Sequence, residues 1–84
     1  MIVRMWEGIV APDRLDEALE WVRRDVVPRA LLTQGCLAAE ILKNEGAPER
    51  VVLLTRWDLP PRFEEGWPGD DVLVRGRASH YETL

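Results

Sequence analysis

The segment 50–57, RVVLLTRW, is apolar at the centre of both its faces, and this limits the fold more than any other feature of the chain. As a strand it sends Val51, Leu53, Thr55 and Trp57 to one side. Val52 and Leu54, flanked by Arg50 and Arg56, go to the other. Such a strand belongs inside a sheet, with cover on both faces. The chain has 84 residues, enough for one domain over 1–84 and a thin core. Whether so short a chain can cover both faces decides its architecture.

Residues 2–10, IVRMWEGIV, alternate as a first strand. The Val3, Met5, Glu7 and Ile9 face is the expected core side, and the Trp6 face is half apolar. Leu15, Leu19, Val22 and Val26 then recur at helical spacing, with Ala18 and Trp21 widening the stripe. Asp13 is the expected N-cap, with Asp16 at the capping-box position. Pro28 lacks an N–H, so the helix is expected to end near Val26 or Val27, followed by a kink or fresh turn to Leu32. Residues 36–43, CLAAEILK, form the second strand, and 44–49 make a hairpin-length connection to the third. Residues 72–82 return to strand character, with Gly76 suggesting a bulge or bend in the middle.

Between the last two strands, Pro60, Pro61, Gly66, Pro68 and Gly69 leave room for one short helical turn around 62–65. The order strand, helix, strand, strand, reduced helix, strand is that of an α+β, ferredoxin-like split βαβ sheet with a shortened second helix. One long helix and a stub can cover one sheet face. Val52, Leu54, Leu42 and Trp6 or its neighbours would be left wet, so a homodimer through the open sheet face is expected.

The formal net charge of −4, with arginines only in isolated pairs, argues against nucleic acid. The longest apolar stretches are far short of a membrane span, and no secretory signal pattern opens the chain. A single cysteine, Cys36, rules out an internal disulfide and a cysteine-built zinc site, and suits the cytoplasm. Its default role is packing. No phosphate-binding motif supports a nucleotide cofactor, and no metal-ligand spacing is present. No cofactor is therefore expected, although dimeric sheets can hold flavin without a short motif.

Six residues are candidates for chemistry. His80, the only histidine, could act as a base near neutral pH, or be a surface residue. Tyr81 lies on the opposite strand face from His80 and suits an interface or core edge. Trp6, Trp57 and Trp67 could line an aromatic cavity between sheet and loop, Trp57 serving equally well as core; Trp21 belongs to the helix stripe. Arg56 could hold an anion, with Arg4 and Arg75 as alternatives. Asp58, Glu64, Glu65, Asp70 and Asp71 read as solvated loop acids.

The start IVRMWEGIVAPDRLDEALEWVRRDVVP, the QGC turn before AAEILKNE, and RVVLLTRWD together resemble the antibiotic biosynthesis monooxygenase-type family of dimeric α/β barrels. The likeness covers residues 2–58, and VLVRGRASHYETL resembles the family's last strand more loosely. It implies a dimer of ferredoxin-like subunits, each with a cavity between sheet and helices. It also implies cofactor-independent oxidation of an aromatic phenol or enol by O2, as in several members. Trp57 matches the family's cavity-lining tryptophan at the end of the third strand. The first-strand asparagine of active members has no counterpart in Arg4-Met5-Trp6. On this resemblance His80 would be the base, Arg56 the anion holder and Trp57 the wall, with Trp6, Trp67 and Tyr81 touching substrate. The competing classes are a non-catalytic dimeric ligand-binding or accessory protein, and an isomerase or cyclase with His80 inside the cavity.

Overall fold

The computed structural model describes residues 1–69 and 71–84. Asp70, grouped above with the loop acids, lies outside the described residues. Four strands, β1 (Ile2–Val10), β2 (Cys36–Asn44), β3 (Arg50–Trp57) and β4 (Leu73–Glu82), form one sheet in the order β2-β3-β1-β4. All neighbouring pairs are antiparallel. Parallel β1 and β2 need a crossover between them, and the helical stretch supplies it.

That stretch is one continuous rod of three parts: α1 (Leu15–Trp21), a π-helical turn (Val22–Val26) and α2 (Val27–Leu31). Pro28 therefore neither ends nor breaks the helix. Its ring would clash with the carbonyl four residues back, and the widened π turn just before it relieves that conflict. The rod starts at Leu15 with no side-chain cap. Asp13 is not the N-cap, because it adopts φ 64° in the preceding turn. Thr33 Oγ1 donates to the Arg29 carbonyl at 2.8 Å near the C-terminal end, and Gly35 at φ 94° turns the chain into β2.

The rod lies on the face carrying Arg4, Trp6, Gly8 and Val10 of β1 and Val51, Leu53, Thr55 and Trp57 of β3. These, with Ala18, Val22 and Val26, are buried. The expected core side of β1 is thus the wrong one. Val3, Met5, Glu7 and Ile9 occupy the opposite, uncovered face, where none is fully buried. The physical reason is room for Trp6. Its indole lies over Gly8 and Gly76, and a Cβ at either position would stand within 3 Å of it. Gly76 therefore marks no bulge. The register shift of that ladder lies farther on, between Ile9 and Val10.

The described residues of 58–72 contain no helical turn, and the one expected around 62–65 is not formed. They are irregular chain. The segment is tied at entry by Asp58 N–H to the Gly35 carbonyl (3.0 Å) and at exit by Ala11 N–H to the Val72 carbonyl (2.9 Å). Among the described residues no backbone-to-backbone bond holds 59–69 to the sheet or rod.

Candidate functional site

Arg4 is a cation on an otherwise apolar strand face, only 5% exposed, and a charge in that position must be paired. Its partner is Glu65, 3% exposed and 61 residues away. The guanidinium donates to both carboxylate oxygens: Nη2 reaches Oε1 at 2.9 Å, and Nη1 bonds Oε2. Glu65 is therefore no solvated loop acid, whereas Asp58, Glu64 and Asp71 are exposed. The same loop inserts Phe63, whose ring centroid is 6.2 Å from that of Trp57. The guanidinium carbons of Arg4 and Arg29 stand 5.8 and 5.5 Å from the Phe63 centroid, within reach of its π face. Arg29, on α2, also donates to the carbonyls of Glu64 (3.2 Å) and Glu65 and to Asp25 (2.9 Å). The floor of this site is Arg4, Thr55 and Trp57, its wall is Arg29, and its roof is the loop.

Against this geometry, no family model matches the chain, and no curated protein matches it. Among solved structures, it is similar to the crystal structure of a "putative antibiotic biosynthesis monooxygenase" from Bacillus cereus. The two superpose with a TM-score of 0.64 at 16% identity, over 95% of this chain and 89% of that one. The chain shares the fold of that protein. The resemblance read in residues 2–58 is thus supported at the level of architecture, an α+β ferredoxin-like sheet.

Within this fold the sequence candidates do not form one cluster. Trp57 is fully buried on the rod side, its Nε1–H donating to Thr55 Oγ1 at 2.8 Å. Arg56, one residue earlier, is exposed on the opposite face, so the two cannot serve one pocket. Tyr81, 54% exposed, shares that opposite face, as the partner of Val3. Trp6 is buried on the rod side, with its ring edge-on to Trp21 at 5.9 Å. It sits four residues along β1 from Ile2, the partner of Trp57. Trp67 is 52% exposed in the loop. The expected aromatic cavity of Trp6, Trp57 and Trp67 is therefore not assembled.

His80 is the ladder partner of Arg4, and Arg4 is in turn the partner of Thr55. The three fall in one row across β4, β1 and β3 on the rod face. His80 is exposed on the edge strand and not enclosed, which the isomerase or cyclase reading required. Three surface cavities, of 350, 300 and 350 Å³, are lined by Thr33, Leu59 and Arg62; by Asp13, Asp16 and Glu45; and by Ile9, Pro48 and Val74 among others. None of the three is lined by Trp57 or His80.

No group of three or more His, Cys, Asp or Glu positioned for a metal occurs among the described residues, and no helix there is long and apolar enough to cross a membrane. Arg4 had a legible signal, a lone charge between apolar neighbours on what proved the buried face. Glu65 had none, because an irregular loop has no periodicity to aim it.

Proposed function

We propose that this chain is a homodimeric barrel of the antibiotic biosynthesis monooxygenase type that takes a small planar phenol or enol beneath its 58–69 loop and oxidises it with O2. The observation that supports the reading is the row Thr55, Arg4, His80 on the rod face, roofed by irregular chain where a helix is usual. Trp57 closes one end of that row as an apolar wall, and His80 keeps the other end open to solvent. His80 takes a proton from the substrate. The resulting carbanion gives its electrons to O2, and the ring-carbon hydroperoxide loses water to leave a ketone. In sum, CH2 and O2 become C=O and H2O. The buried floor excludes water from the carbanion. The second copy covers the open sheet face, where Val3, Met5, Val52 and Leu54 are only half-buried and Leu42 and Tyr81 are exposed. The lone Cys36 accords with a cytoplasmic setting.

Oxygen uptake with anthrone-like phenols tests the reading. Uptake above autoxidation is expected, falling at least tenfold in His80→Ala and in Trp57→Phe. No uptake, or uptake indifferent to both substitutions, would refute it.

One observation favours a second reading, a non-catalytic dimeric ligand-binding or accessory protein. Phe63 and Glu65 already fill the space beneath the loop. Under that reading the protein gives no uptake with any phenol while remaining a dimer.

A further inference from the structure

The loop carries both an aromatic ring and a carboxylate into the site, and the floor meets each with matching chemistry. Phe63 lies between Trp57 and two guanidinium groups, and Glu65 is clasped by both terminal nitrogens of Arg4. Arg4 is a fixed part of the sheet, held by the β1 ladder on both sides. Its counter-ion is held by side chains alone: among the described residues the 59–69 backbone makes no backbone bond to sheet or rod, and Arg4 on the Glu65 carboxylate and Arg29 on the Glu64 and Glu65 carbonyls keep the loop in place. When the loop lifts, a planar fork that suits a two-oxygen anion is left on an apolar floor. A buried guanidinium without a partner is unfavourable, so the exposed site demands an anion.

We infer that Phe63 and Glu65 stand in for the ligand, and that the ligand is a planar aromatic acid. Its carboxylate replaces Glu65 on Arg4, and its ring replaces Phe63 beside Trp57. The inference rests on the site proposed beneath the loop, names its ligand class, and makes Arg4 the anion holder in place of Arg56. Because the stand-in is tethered, it competes at high effective concentration and lowers the apparent affinity of any free ligand.

The probes are 2-naphthoate, an anionic ring, and 2-naphthol, a neutral one at pH 7. Binding is read by titration calorimetry, with thermal shift as a second measure for any variant of low stability. Glu65→Ala and Phe63→Ala are expected to bind 2-naphthoate at least tenfold more tightly than the parent. Glu65→Ala is also expected to prefer 2-naphthoate over 2-naphthol at least tenfold, and to gain more in Tm from 2-naphthoate than the parent does. Adding Arg4→Lys to Glu65→Ala is expected to abolish the preference. Equal affinity for the two probes in Glu65→Ala would overturn the inference while leaving a site beneath the loop intact. Absence of binding by either probe to every variant would overturn both.

Discussion

Gly8 on β1 and Gly76 on β4 are ladder partners, and the Trp6 indole occupies the space a side chain at either would need. A Cβ at Gly76 would sit 2.8 Å from Trp6 Nε1, and one at Gly8 2.6 Å from Cη2. Real Cβ contacts are not that close, so the ring must shift or the strands must part. Gly76→Ala and Gly8→Ala are each expected to destabilise the fold by about 1–3 kcal/mol, the usual result of overpacking. Urea denaturation measures this, and the loss at Gly76 should shrink in a Trp6→Phe background.

The Arg4–Glu65 pair is buried on both sides, so its halves are not independent. Removing either alone strands a charge and is expected to cost about 3–5 kcal/mol. Replacing both, as Arg4→Met with Glu65→Leu, is expected to leave stability unchanged or raise it by about 1–4 kcal/mol. Chemical denaturation of the two single variants and the double variant checks this. A double variant as unstable as the singles would show that the ion pair itself, and not the stranding of one charge, accounts for the loss.

Sheet-to-sheet pairing makes a separate claim. Val52 and Leu54 project from β3 onto the face the rod leaves bare. Leu54→Asp is expected to give a monomer at low micromolar concentration by sedimentation, with the strand content of the parent retained. A parent protein already monomeric there would remove the dimer from the proposal.

Cys36 gives a prediction about pH. Burial pushes its thiol up, only partly offset by a backbone hydrogen bond at Ala38. The folded thiol therefore ionises at higher pH than the unfolded one. Stability from this group is fully present below the ordinary thiol pKa and is lost as pH rises through the folded value. Alkylation by iodoacetamide at pH 8 is expected to be slower than in the urea-unfolded chain, where the thiol ionises normally. An equal rate would mean that burial does not perturb the thiol.

The turn after β2 behaves oppositely at low pH. The Lys43–Glu45 bond, 2.7 Å, pulls the Glu45 carboxyl down and pushes Lys43 up. Stabilisation from Glu45 is present above its unfolded pKa and fades as pH falls through the depressed value. Both groups are exposed, so Glu45→Gln is expected to leave the urea midpoint at pH 7 within error of the parent and to flatten any slope between pH 5 and 3.

Much of the architecture could be read before any coordinates. The two apolar faces of 50–57 fixed a central strand, and β3 is one. The stripe from Leu15 to Val26 gave the rod its buried side, and the prolines and glycines of 58–71 denied the chain a full second helix. Periodicity carries that information because it is local. Each of these elements repeats its contacts every two or every few residues along the chain.

What remained illegible was relational. Alternation in β1 offers two faces of similar greasiness. The choice between them was made by Gly8 and Gly76, far apart in sequence, opening a place for Trp6. The meeting of Arg4 with Glu65 across 61 residues, and of Phe63 with Trp57, likewise depends on the path of an aperiodic loop. Local pattern can say that a charge must be neutralised. Only the folded chain, which sums many weak contacts into one arrangement, decides by which residue.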